Sequence, residues 1–289
     1  MISLTPAHLD HGRVWRGFDY CYPVISRRSR GLSLGVNLSL DQACNFDCVY
    51  CEVDRKNPPN RTDIDLGQLE DEMKTLIELA ISKELFGSGP LGMARIEHQR
   101  FNDMAFSGDG EPTAAPQFPQ TVHVLAGLRK RFGLDDVKLV LITNATRFQD
   151  SRAIKGIDAL MENNGEIWAK LDAGTEGLYC AINRSKIPHR QIIDNLMFAG
   201  KKWPLVIQTL FLDWDGSPPP QEIQQYIDKI KYLLDSGAQI KGIHLYTAAR
   251  PTPLPRAKPL SSAILDEIAH SVKKEIPKIP LDVFYGPTA

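Results

Sequence analysis

Short apolar runs alternate along the chain with longer stretches of helical periodicity. Residues 32–40 (LSLGVNLSL) alternate apolar and polar side chains and read as a strand. After the turn signal at 57–60 (NPPN), Asp65 is placed to cap a helix reaching about Leu85, with Leu69, Met73, Leu76, Ile77 and Ala80 on one face. A Gly/Pro break at 87–92 and the uncertain segment ARIEHQRFN lead to a strand at 104–107 (MAFS), the loop GDGEPTAAP and a helix over 118–131. Residues 137–143 (VKLVLIT) form a nearly continuous apolar run, which suits a strand covered on both faces of a parallel sheet. The pattern then predicts a helix at 150–162, a strand at 166–172, a helix at 190–199, a strand at 204–212 and a helix at 220–235. A strand at 239–247, a helix at 261–274 and a short final strand, LDVFY, complete it. Residues 1–31 show no such pattern and read as polar and irregular.

Strand and helix thus alternate six times, which predicts an α/β fold with a parallel sheet and helices outside it. Six units do not fill an eight-unit barrel, so an open partial (β/α)6 barrel is expected. No repeat, low-complexity tract or linker interrupts the chain. One domain is therefore expected over 1–289, with an irregular extension at 1–31, the barrel core at 32–247 and a C-terminal helix and strand at 248–289.

Composition changes this picture little. With 43% apolar and 24% charged residues the chain reads as an ordinary globular protein. No apolar run approaches a membrane span, and the first residues lack the apolar core of a secretory signal, so a cytoplasmic protein with no membrane partner is expected. A net charge of −1 exerts no global pull on nucleic acid, which is not favoured as a partner. The one basic cluster, Arg27, Arg28 and Arg30, reads either as a solvated segment or as a contact for an anionic substrate.

The cysteines point to specific chemistry. There are five, an odd number, and three of them (Cys44, Cys48 and Cys51) form a C-x3-C-x2-C cluster in the loop after the first expected strand. Thiolates select iron–sulfur clusters, zinc or Cu(I). A structural zinc site or an ordinary cluster takes four protein ligands, and only three are supplied here. Three ligands on a cubane leave one iron open to a substrate or cofactor. Cys21 and Cys180 stand apart, and Cys180 reads as a buried apolar thiol.

The spacing Cys44-x3-Cys48-Val49-Tyr50-Cys51 resembles the radical S-adenosylmethionine superfamily. The resemblance implies one [4Fe–4S] cluster on these three cysteines, S-adenosylmethionine on its open iron, and reductive cleavage to methionine and a 5′-deoxyadenosyl radical. It implies an electron donor such as flavodoxin or ferredoxin, and a substrate that remains to be identified. Tyr50 matches the aromatic position near adenine, with plain core packing as the other reading. Gly108, Asp109, Gly110 and Glu111 resemble the glycine-rich motif that binds the amino group of the cofactor. Asn144, at the end of the third strand, and Lys170 with Asp172, at the end of the fourth, fall where the family binds ribose and the methionine carboxylate. For the last two the other reading is a water-screened surface pair. His244 and Tyr246 on the sixth strand are further cofactor candidates, and a core histidine is the other reading of His244. Lys170 and Arg250 are the catalytic candidates, Arg250 for an anionic substrate group. SRRSRGLSLGVNLSLDQACNFDCVYC, FSGDGEPT, ITNAT and HLYTAARP together resemble a prokaryotic subgroup related to the tRNA wyosine synthases. An RNA-associated or tRNA-modifying protein and an iron–sulfur carrier are the alternatives.

Overall fold

The computed structural model describes residues 5–9, 12–56 and 58–287. The first residues of the chain and Asn57 of the expected turn therefore lie outside the described residues. In chain order the strands are β1 (Cys21–Ser26), β2 (Gly31–Val36), β3 (Phe101–Phe106), β4 (Lys138–Thr143), β5 (Gly165–Lys170), β6 (Leu205–Leu210), β7 (Leu212–Trp214), β8 (Ile240–Tyr246), β9 (Ala257–Pro259) and β10 (Leu281–Phe284). The helices are α1 (Pro6–Leu9), α2 (Leu66–Ile81), α3 (Gly89–Gly92), α4 (Phe118–Arg131), α5 (Ser151–Glu162), α6 (Glu176–Asn183), α7 (His189–Lys202), α8 (Pro220–Asp235) and α9 (Ser262–Glu275).

Eight strands form one curled sheet in the order β1-β2-β3-β4-β5-β6-β8-β10. Within this sheet β2, β3, β4, β5, β6, β8 and β10 pair in parallel and β1 runs antiparallel to β2 at one edge, while β7 and β9 pair antiparallel outside it. This is the open, partial barrel that the alternation predicts. Helices cover its outside because each carries one apolar stripe. On α2 that stripe is Leu69, Met73, Leu76, Ile77 and Ala80, all fully or almost fully buried. Burying each of the larger four stabilises by about 1.5–3 kcal/mol. Asp65 caps this helix as expected, accepting from the amides of Gly67 at 2.9 Å and Gln68 at 3.1 Å. The helix stops at Ile81, four residues before the expected end.

Residues 21–26 correct the expectation of an irregular N-terminus: they form β1. Its start is fixed by Glu72 of α2, whose buried carboxylate accepts from the amides of Asp19, Tyr20 and Cys21 at 2.9–3.0 Å. The final strand, β10, belongs to the same sheet as the core and pairs with β8. The open side of the barrel lies between β1 and β10. Arginines from the β1–β2 turn cross it: Arg27 donates to the carbonyls of Tyr285 and Thr247, and Arg30 pairs with Asp282 at 2.6 Å. Among the described residues no helix is long and apolar enough to cross a membrane.

Candidate active site

The loop after β2 lies over the C-terminal end of the sheet, the end where barrel folds carry their sites. It is pinned at both ends. Asn37 accepts from the amides of Ser39 at 3.0 Å and Asp109 at 3.1 Å, and donates to the Asp109 carboxylate at 2.8 Å. The amides of Asp47 and Val49 donate to the carbonyls of Asn183 and Ile182 at the end of α6. Cys44, Cys48 and Cys51 all line one cavity of about 300 Å³. Each sulfur has a donor near it: the Phe46 amide lies 3.5 Å from Cys44 Sγ, Asn183 Nδ2 3.5 Å from Cys48 Sγ, and Arg55 Nη1 3.3 Å from Cys51 Sγ. Burial, and then the Asp172 carboxylate, push the Cys48 thiol up to about 12. Among the described residues no three His, Cys, Asp or Glu side chains gather closely enough to hold a single metal ion. A cubane, with its irons at separate corners, accepts thiolates that are further apart.

Below the loop, the β3 and β4 ends are tied together. Glu111 is buried, and its carboxylate accepts from the Thr113 amide at 3.1 Å, the Thr113 hydroxyl at 2.5 Å, the Thr143 hydroxyl at 2.7 Å and the Asn144 amide at 2.7 Å. Asn144 in turn donates to Asn45 Oδ1 at 2.6 Å, inside the cysteine motif. Glu111 and Asn144 thus brace the cysteine loop. The glycines serve the same packing. A Cβ on Gly108 would lie 2.4 Å from Asn37 Oδ1, and one on Gly110 would lie 2.1 Å from the Ala43 carbonyl oxygen. Only glycine lets the two loops stack. Asp109 is held by Arg13 at 2.5 Å.

Lys170, Asp172, Tyr50 and Tyr246 form one network. Asp172 accepts from the Tyr50 hydroxyl at 2.5 Å, Asn183 Nδ2 at 2.9 Å, the Leu210 amide at 3.0 Å and, across an ion pair, Lys170 Nζ at 3.2 Å. Lys170 also donates to the Tyr246 hydroxyl at 2.8 Å and lies about 5 Å above both tyrosine rings. Burial pulls the lysine pKa down, but Asp172 and Tyr246 outweigh it and raise it overall, so the side chain is an ammonium. The pair is no surface pair: the Asp172 side chain is fully buried.

Other candidates stand differently. Arg250 lines the cavity, but its Nε already pairs with Glu52 at 2.8–2.9 Å, tying the loop after β8 to the cysteine loop. His244 lies inside the barrel between Trp168 and Phe284, edge-on to both, with Gln208 at 3.3 Å. Burial and then Arg28 push it down to about 4, so it is neutral. Cys180 corrects an expectation: it is exposed on α6, not buried. Arg13, Arg55 and Asn183 carry site contacts that the sequence pattern did not single out. Arg55 stands four residues after Cys51, and that short spacing is the one sequence cue to its position.

No family model matches the chain. A UPF0026 protein of Methanocaldococcus jannaschii is 27% identical over 199 residues, covering 66% of this chain and 53% of that protein. A UPF0026 protein of Helicobacter pylori is 32% identical over 143 residues, covering 47% of this chain and 39% of that protein. The chain thus spans about half or less of the length of these relatives. Among solved structures, a TYW1 structure with a bound lysine–pyruvate adduct superposes with a TM-score of 0.54 at 16% identity, over 84% of this chain and 73% of TYW1. The fold is that of TYW1. The resemblance to the wyosine-synthase subgroup, read from the cysteine, glycine and strand-end motifs, therefore holds at the level of architecture. Set on the TYW1 fold, the cysteine loop follows β2 and the GDG loop follows β3, at the C-terminal mouth of a curled parallel sheet.

Proposed function

We propose that the chain is a radical S-adenosylmethionine enzyme in which Cys44, Cys48 and Cys51 hold one [4Fe–4S] cluster and the cavity beside them holds S-adenosylmethionine. The observation that carries this reading is the convergence of three hydrogen-bonded thiols on one cavity at the mouth of a TYW1-like sheet. The donor set fits the cluster: three soft ligands, each with a donor aimed at sulfur, and no fourth cysteine in the cavity lining. When bound, the cluster and cofactor supply one-electron cleavage of the sulfonium C5′–S bond, with a flavodoxin or ferredoxin as the electron source.

The protein's own residues then have separable tasks. Asn183, the Phe46 amide and Arg55 donate to the three sulfurs. Tyr50 walls the cavity and is held in place by Asp172. Lys170 presents three N–H donors, two of them turned to Tyr246 and Asp172, and the third is available to the methionine carboxylate. Glu111 and Asn144 keep the β3 and β4 ends in register with the cysteine loop.

Anaerobic reconstitution tests the reading. It should yield about four irons and four sulfides per chain, the composition of one cubane. Incubation with S-adenosylmethionine and a reductant should release 5′-deoxyadenosine. A stable preparation with a full cluster and no cleavage would favour an iron–sulfur carrier. The lysine–pyruvate adduct of the TYW1 structure suggests a second reading, in which Lys170 condenses with a carbonyl substrate of a tRNA-modifying reaction. Borohydride trapping of pyruvate on Lys170 would support it. The charged state of Lys170 beside Asp172 favours the carboxylate role.

A further inference from the structure

The cations facing the cavity fall into two groups. Arg13, Lys170 and Arg250 each pair with a carboxylate, and Arg55 faces a thiol. Arg27 and Arg28, side by side at the end of β1, do not. Both line the cavity and both are half-buried. Among the described residues Arg27 donates only to the backbone carbonyls of Tyr285 and Thr247. Arg28 makes one hydrogen bond, to Gln208 Oε1 at 2.5 Å, and its guanidinium lies 5.5 Å from the Trp168 ring centre and 5.1 Å from that of Tyr246. Among the described residues neither has an ion-pair partner. The buried Asp103 lies deeper in the barrel, held by the Ser33 hydroxyl at 2.5 Å, and burial pushes it up to about 6. Arg27 shows the cost of this arrangement: burial, and then the repulsion of Arg28 and Arg250, pull it down to about 10.

Asp103 faces Arg28 and Glu52 faces Arg27 only at longer range, so two neighbouring guanidiniums with no direct ion pair keep N–H donors free for an anion in a partly apolar cavity. A guanidinium has five N–H donors, and Arg28 spends one of them on the protein. We propose that Arg27 and Arg28 form a subsite for the doubly charged oxyanion of a small organic substrate, a phosphomonoester or a dicarboxylate, that enters the barrel beside Trp168 and Tyr246. The inference deepens the radical S-adenosylmethionine reading and rests on it for the site's purpose. Two guanidiniums, neither in a direct ion pair, match the two charges of a dianion better than the single charge of a monoanion. Arg250, already neutralised by Glu52, is not part of the subsite.

The experiment measures thermal unfolding and calorimetric binding of the intact protein with inorganic phosphate, malonate, acetate and chloride at matched ionic strength. Phosphate, malonate or both should raise the Tm saturably in wild type, and acetate and chloride should not. Stabilisation by phosphate alone assigns a phosphomonoester, and by malonate alone a dicarboxylate. Arg27→Gln and Arg28→Gln should each weaken dianion binding by tenfold or more. Arg28→Lys keeps the charge, guards against misfolding of the glutamine variants, and should lose most of the affinity because it lacks the planar fork. No dianion binding to wild type, equal stabilisation by acetate, or undiminished binding in the folded variants would overturn the subsite. Absence of 5′-deoxyadenosine from wild type that binds dianions would overturn the radical reading and leave the anion site standing.

Discussion

Asp172 is the residue whose loss the structure prices most directly. One fully buried carboxylate takes donors from Tyr50, Lys170, Asn183 and the Leu210 amide at 2.5–3.2 Å. Asp172→Asn keeps the shape but removes the counter-charge of a lysine whose side chain is 15% exposed. It also replaces one acceptor oxygen with an NH2 group facing other donors. Removing one partner of a buried ion pair costs about 3–5 kcal/mol. Unfolding entropy of about 2.1 cal/mol/K per residue gives about 0.6 kcal/mol/K for 289 residues, so the Tm should fall by about 5–8 °C. Circular dichroism melts of Asp172→Asn, Lys170→Met and the double variant measure it. The double variant leaves no orphaned charge and should recover at least about 1 kcal/mol of the summed single losses. A Tm loss below about 2 °C in Asp172→Asn, or strict additivity in the double variant, would refute the reasoning.

Four further outcomes follow from the same geometry. His244 titrates at about 4 in the folded chain against an ordinary 6.5, so the folded state binds its proton less readily than the unfolded chain. Stability is full above pH 6.5 and falls as the pH drops toward 4, by up to about 3 kcal/mol, and His244→Asn should flatten that limb of the Tm-versus-pH curve. Arg55→Met removes the donor to Cys51 and should shift the cluster's reduction potential to more negative values in a potentiometric EPR titration. Cys48→Ala should abolish the cluster's visible absorbance, whereas Cys180→Ala, on the exposed face of α6, should leave it intact. Gly110→Ala drives a methyl group into the Ala43 carbonyl and should lower the iron bound per chain without unfolding the sheet, as judged by far-ultraviolet circular dichroism.

What the sequence disclosed depended on how local each determinant is. Helices α4 and α8 begin and end where their periodicity predicts, and the cysteine spacing lies within eight residues. Strand β1 escaped notice because CYPVIS is short and contains Pro23. An edge strand tolerates proline, whose missing N–H takes nothing from an interior ladder. Helix α6 has two turns and mixed polarity, and the exposure of Cys180 was unreadable without it. Arg13 meets Asp109 across 96 residues of sequence, and Asn183 reaches Cys48 across 135. No periodicity encodes such pairs. Lys170 and Asp172 were legible because they are two residues apart on an apolar strand end. Arg250 was legible as a loop cation, but its engagement with Glu52, 198 residues away, was not.

The arginines that cross the open side of the barrel also set an order of assembly. Arg27 meets Tyr285 across 258 residues, and Arg30 meets Asp282 across 252. Both closures carry a high loop-closure entropy, and both need β10 in its place beside β8. Without β8 and β10, Arg27 and Arg30 lose the partners they have in the folded chain: the Thr247 and Tyr285 carbonyls and the Asp282 carboxylate. The two edges of the open sheet are thereby held together by contacts that only the folded chain can make, across more of the sequence than any strand pairing in the barrel.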